Sequence, residues 1–124
     1  MPMRKRLFWS SALLLFGVLI VLIARPRWYL NLIKRVEVSP AVGAALVEQY
    51  GCRKCHIIGG QGALYAPNLD RSMKYLSDEE LFAWLRNPRA VRPSTAMPNL
   101  HLSDSEIQAI REYLRGLQNG EGAR

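Results

Sequence analysis

Residues 7–24 read LFWSSALLLFGVLIVLIA, eighteen positions without a charge. As a helix this run spans about 27 Å at ~1.5 Å per residue, close to the ~30 Å hydrocarbon core of a bilayer. Trp9 lies near one end and Trp28-Tyr29 near the other, where amphipathic rings favour the headgroup level. A buried helix of a soluble domain would be shorter. A cleaved signal peptide carries an apolar stretch of about 7–15 residues and a small-x-small exit. Here the run is longer, and Leu22-Ile23-Ala24 lacks the first small residue. The reading is a retained single-pass anchor over residues 1–24, with the span at 7–24.

The formal net charge of +7 raises nucleic acid or an anionic membrane as partners. Its location decides between them. Residues 1–35 hold seven cations (Arg4, Lys5, Arg6, Arg25, Arg27, Lys34, Arg35) and no acid. Residues 36–124 hold ten cations and all ten acids, so their charge is zero. The basicity belongs to the membrane-proximal quarter, and nucleic acid is excluded as the partner. Cations flank both ends of the span, so the charge count alone leaves its orientation open.

Residues 25–39 form a juxtamembrane connector. Pro26 lacks a backbone donor and kinks or ends the first helix. Leu30, Leu32 and Ile33 beside Lys34 and Arg35 suit the lipid interface. Fully extended, this connector reaches about 50 Å at ~3.3 Å per residue, so whatever follows works close to the bilayer.

From Ser39 the pattern becomes that of a small helical domain, expected over residues 40–118 with a flexible tail at 119–124. Ser39-Pro40 is an N-cap followed by proline at the first helical position, and Gly51 is a stop. Ser77 and Ser103, each followed three residues later by Glu, open two more helices in capping-box fashion. The second ends at Asn87-Pro88. In the last, Ile107, Ile110, Tyr113, Leu114 and Leu117 recur at threes and fours. Residues 57–75 and the segment holding Pro93 and Pro98 read as loop, with no alternating strand pattern and no repeat. A core of about eighty residues is marginal without a staple such as a disulfide, a metal or a large cofactor.

Both cysteines stand in Cys52-Arg53-Lys54-Cys55-His56. Cys-x-x-Cys-His reads as a site of c-type haem attachment. Two thiols three positions apart on one turn can add to the two vinyl groups of a haem, and the adjacent His presents its ring to the iron. The disc then supplies the missing core. A thioredoxin-like dithiol would sit in a fold with strands. A zinc site would need Cys52, Cys55, His56 and His101 to converge. A disulfide across two residues is strained. For the opposite face of the iron the candidates are Met73, Met97 and His101. Met97, in the coil Thr95-Ala96-Met97-Pro98, lies where the chain can return to that face. Met73 reads as a core or surface residue and His101 as a loop histidine. A thioether opposite His raises the reduction potential and closes the iron to other ligands, which suits electron transfer.

Residues 41–118 resemble the class I cytochrome c family, in the small monohaem, membrane-anchored bacterial subset. The resemblance rests on Gly43 and Val47 before Cys52–His56, on Ala66-Pro67-Asn68-Leu69 after it, and on Trp84 with Asn87-Pro88. Met97-Pro98 and a final helix with Ile110, Tyr113 and Leu114 complete it. It implies an all-α fold, a class I cytochrome c fold of three to four short helices around one covalently bound haem c, preceded by the single transmembrane helix. It implies that His56 and Met97 ligate iron and that the Pro67 carbonyl accepts the His56 ring N–H. Gly43 would let the first helix approach the last at Tyr113. Leu69 and Leu100 would pack on the haem. Trp84 with Arg89 or Arg92 would hold its propionates, core packing being an equal role for Trp84. Val47 replaces a frequent aromatic and Ala66 a frequent Gly. The run Gly62-Ala63-Leu64-Tyr65-Ala66-Pro67 is similar to the cytochrome subunit of nitric oxide reductase.

The expected function is single-electron transfer without substrate chemistry, outside the cytoplasm of a bacterial inner membrane, with a cytoplasmic N-terminus. Partners would be the bilayer and a quinol-oxidising complex, terminal oxidase or photosynthetic reaction centre. The chain would serve as a fixed subunit or a tethered shuttle. The zero charge of residues 36–124 favours the subunit, although Arg53, Lys54, Arg86, Arg89 and Arg92 could form a local positive face. The alternative is a haem enzyme or gas-binding subunit with a displaceable sixth ligand.

Overall fold

The computed structural model describes residues 3–120, so the first two residues of the expected anchor and the last four of the expected tail lie outside the described residues. Helix α1, Met3–Ala24, buries none of its residues, and among the described residues it is the one helix long and apolar enough to cross a membrane. The Ser10 and Ser11 hydroxyls both donate to the Leu7 carbonyl at 2.9 Å, which satisfies the span's hydroxyls within the helix. Arg25 then takes a left-handed φ of 44° and Pro26 follows. A residue in that conformation ends a helix, a role that usually falls to glycine.

Helix α2, Arg27–Ile33, occupies what the sequence presents as a connector, and its polar side is attached to the globular domain. Arg27 pairs with Asp104 and donates to the Leu102 carbonyl. Asn31 donates to Asp104 through Nδ2 at 2.7 Å and accepts from the Asp104 backbone N–H at 2.8 Å. Lys34 donates to the Tyr50 hydroxyl and the His101 carbonyl, both at 3.1 Å. Its own carbonyl accepts from the Ser103 hydroxyl at 2.6 Å. Leu30, at 3% exposure, is buried, whereas Leu32 at 72% and Ile33 at 54% remain open.

Helix α3, Pro40–Gln49, starts as its cap requires, the Ser39 hydroxyl accepting from the Val42 N–H. It ends at Gly51, whose φ of +66° turns the chain into a 3₁₀ turn, Cys52–Lys54. Where the sequence reads as loop there is a minimal antiparallel hairpin, β1 Ile57–Ile58 with β2 Gln61–Gly62, in register Ile57 opposite Gly62. Two residues per strand are too few to show alternation. Asp70 pins the hairpin tip, its carboxylate accepting from the Gly59 and Gly60 N–H groups at 2.7 and 2.8 Å. The one-turn helices α4, Leu69–Ser72, and α6, Pro88–Val91, flank α5, Asp78–Arg86. Helix α7, Asp104–Gln118, closes the domain, and both α5 and α7 carry complete capping boxes at Ser77 and Ser103. The architecture is all-α apart from the hairpin, with two one-turn helices beyond those the sequence indicates.

The core lies between α3 and α7 and takes in Val47, Ile58, Met73, Leu102, Ile107 and Ile110, each at most 1% exposed. Burying side chains of this size contributes about 1.5–3 kcal/mol each. Gly43 is buried at the crossing. A Cβ there would collide with the Ala109 carbonyl and come within 2.8 Å of Tyr113 Cβ. The absence of a side chain therefore sets the helix separation, and Val47, where an aromatic is frequent, is sealed at 0% exposure.

Candidate functional site

The site is built where α3 runs into the Cys52–Lys54 turn. The His56 N–H donates to the Cys52 carbonyl at 3.0 Å, holding both cysteines and the histidine on one compact turn. Two further backbone bonds cross to the following loop. Ala63 N–H donates to the Arg53 carbonyl at 3.0 Å and Ala66 N–H to the Cys55 carbonyl at 2.9 Å. Gly62 lies against the His56 carbonyl with φ +127°, and any Cβ there would strike that oxygen. The sequence marks Gly62 as a loop glycine that opens the run Gly62–Pro67; this contact reveals its structural role.

His56 Nδ1 lies 2.7 Å from the Pro67 carbonyl oxygen. A carbonyl can only accept, so Nδ1 carries the proton and Nε2 keeps its lone pair for a metal. The Ala66-Pro67-Asn68 segment thereby fixes both tautomer and ring direction. Cys52 is half-buried and Cys55 exposed, and no disulfide joins them. Burial pushes the Cys52 thiol above its ordinary value, the reverse of what a dithiol redox site needs. Among the described residues no three His, Cys, Asp or Glu side chains gather as a metal site, so zinc has no cage.

Cys52, Leu69, Phe82, Met97 and Leu100 lie partly open while packed against the buried core. Cys52 belongs both to this apolar set and to the turn that presents Cys55 and the free Nε2 of His56. This donor set, joined through Cys52 to a partly open apolar set, fits a haem that Cys52 and Cys55 would hold through thioethers and whose iron His56 would ligate. The protein's part is to orient the imidazole and keep the surroundings apolar.

Met73, at 1% exposure, is a core residue. His101 adopts a left-handed φ of 51°, and its backbone serves Lys34 and Asn99. Met97 stands half-buried in the irregular segment between α6 and α7, its N–H donating to the Thr95 hydroxyl at 3.2 Å. Trp84 is half-buried but is not among the side chains packed on the core, while Arg89 and Arg92 are exposed. Arg53 leaves the positive face that the sequence suggested. It pairs with Glu48 and donates to the Tyr113 hydroxyl at 2.8 Å and the Ile58 carbonyl at 3.1 Å. Contacts across 60 residues in sequence, such as Arg53 to Tyr113, leave no local signal.

A Cys-x-x-Cys-His turn, a histidine oriented by a proline carbonyl and a glycine-mediated crossing of first and last helices define a c-type cytochrome domain with covalently bound haem c. Residues 38–114 match the family described as cytochrome c oxidase, cbb3-type, subunit III, and the chain belongs to that family. The C subunit of nitric oxide reductase from Paracoccus denitrificans is 28% identical over 129 residues, covering 90% of this chain and 83% of that protein. The same subunit of Stutzerimonas stutzeri is 31% identical over 87 residues, 64% of this chain and 60% of that protein. Cytochrome c oxidase subunit 2 of Bacillus subtilis is 33% identical over 91 residues, covering 61% of this chain. The chain spans about a quarter of the length of the oxidase relatives it matches. The chain joins this cytochrome domain to an N-terminal helix that is, among the described residues, the one long and apolar enough to cross a membrane.

Proposed function

We propose that this chain is the fixed haem-bearing subunit of a membrane-bound terminal oxidase or nitric oxide reductase type of complex, passing single electrons on the extracytoplasmic side. The haem supplies a reversible one-electron couple at its iron. His56 and Met97 would ligate its iron, and Cys52 and Cys55 would hold it covalently. Pro67 orients His56, Leu69 and Leu100 would pack on the haem, and Trp84 with Arg89 would hold its propionates. The N-terminus is cytoplasmic, since haem is attached to this class of protein outside the cytoplasm. The likeness to the C subunit of nitric oxide reductase over 90% of the chain, anchor region included, supports a role of this kind.

The attachment of α2 carries the choice of fixed subunit over shuttle. Arg27, Asn31 and Lys34 tie the segment after the span to Asp104, Leu102, His101 and Tyr50. A shuttle needs a slack tether, and here α2 leaves few free residues between span and domain. The test is a native gel of gently solubilised membranes stained for covalent haem, with the band identified by mass spectrometry. Comigration with a large oxidoreductase is expected. A free haem-stained band near the mass of this chain plus detergent, unchanged under gentler extraction, would overturn the subunit reading.

A further inference from the structure

Helix α2 has two dissimilar sides. Arg27, Leu30, Asn31 and Lys34, spaced at threes and fours, turn to the haem domain. Trp28, at 62% exposure, and Leu32, at 72%, turn away from it. With Tyr29 they line a concavity of about 750 Å³ whose other wall is Leu14, Gly17 and Val21 of α1. Trp28 and Tyr29 meet edge to face, ring centres 6.0 Å apart, so the aromatic pair forms one surface. Gly17 has nothing within 4 Å of its Cβ position, which leaves the α1 wall open at that level.

We infer that this outer side of α2 is a membrane-docking surface, occupied by phospholipid acyl chains of the leaflet on the haem-domain side. The inference rests on α1 crossing that membrane. The concavity continues the span without a break, so lipid in contact with Val21 on α1 is also at Trp28 and Leu32. Arg25 and Arg35 flank the patch and are exposed, placed to meet lipid phosphates. The polar side-chain contacts of Arg27, Asn31 and Lys34 are directed into the haem domain, and on the other side the indole N–H of Trp28 is suited to the headgroup level above the acyl chains. Because the same short helix holds the domain by its polar side, the domain sits on the bilayer in one orientation. The anchor thus sets the angle of the haem domain as well as its distance from the membrane.

The test uses the full haem-loaded chain in phosphatidylcholine nanodiscs. Leu32→Cys is compared with Tyr75→Cys, a position 87% exposed on the haem domain. Cys52 and Cys55 are thioether-bound in the loaded protein, so only the introduced thiol reacts. A membrane-impermeant maleimide should modify the Leu32→Cys chain on the order of tenfold more slowly than Tyr75→Cys, because the thiolate forms only in water. In unsubstituted protein, a phospholipid with a diazirine in its acyl chain should label the tryptic peptide of residues 28–34. Trp28→Cys repeats the thiol measurement if Leu32→Cys yields too little protein. Equal maleimide rates would overturn the proposal. So would slow modification without lipid labelling, which would mean that a second copy of the chain covers α2. Neither result touches the electron-transfer reading, which the native gel tests separately.

Discussion

The two halves of the haem site are built differently. On the His56 side, the turn is laced by backbone bonds from His56, Ala63 and Ala66, closed by Gly62 and directed by Pro67. Arg53 ties the same turn to α3, β1 and α7. On the Met97 side, residues 92–103 form irregular chain in which Met97 packs against the core and its N–H donates to Thr95 at 3.2 Å. His101 N–H donates to Asn99 at 2.9 Å, its carbonyl accepts from Lys34 at 3.1 Å, and Leu102 and Ser103 are both 0% exposed. One half is thus fixed by a dense set of hydrogen bonds, whereas the other rests mainly on apolar packing of Met97 and Leu100 against the core. On the proposed ligation, such an arrangement would protect the histidine and leave the Met97 thioether as the exchangeable ligand.

Breaking the rigid half should have the largest effect. Gly62→Ala places a Cβ against the His56 carbonyl at a φ that side chains rarely adopt. A loss of about 3 kcal/mol or more is expected, from left-handed strain plus overpacking. Thermal unfolding and haem staining of expressed protein measure it. If Gly62→Ala retains the parent melting temperature, the loop is not a rigid element.

Met97→Ala tests the softer half. On the proposed ligation, the reduced variant should bind carbon monoxide at neutral pH while the parent does not. His56 should remain in place, and the melting temperature should fall less than for Gly62→Ala. Carbon monoxide binding by the unaltered protein would instead favour the gas-binding alternative. A spectrum indifferent to Met97→Ala but altered by His101→Ala would move the ligand.

Arg53→Met sharpens the comparison from within the rigid half. It keeps an apolar stem but removes the bonds to Tyr113, Ile58 and Glu48, costing about 1–2 kcal/mol with the His56 ligation intact. Denaturant unfolding gives the first quantity and the unchanged visible spectrum the second.

The smallest effect concerns α2 and pH. Burial raises the Asp104 carboxyl, but hydrogen bonds from Asn31 and Arg27, with the charges of Arg27 and Arg86, outweigh it and hold the group below its ordinary value. A lowered folded value means its stabilisation is complete above the unfolded value near ~3.9 and fades as pH falls through the folded one. Amide exchange in residues 27–34 should therefore stay slow from neutral pH to about pH 4 and quicken below it relative to the α7 interior. An Asp104→Asn variant should lack that step.

Local signals were legible wherever the physics was local. Ser39, Ser77 and Ser103 cap their helices from within four residues, and Cys52, Cys55 and His56 share one turn, so their roles could be read from spacing. The charge-free run 7–24 specified its own solvent. Gly43 was legible only through a family resemblance, because its partners Ala109 and Tyr113 belong to the last helix. Folding decided the rest. The hairpin and the one-turn helices α4 and α6 are too short to carry a period. Arg53 looked like a surface cation until tertiary contacts turned it inward. The connector became a strut because Asp104, 77 residues from Arg27, arrives beside it once α7 is laid across α3. A sequence determines what its neighbours along the chain can satisfy; pairing between distant polar groups awaits the packing that brings them together.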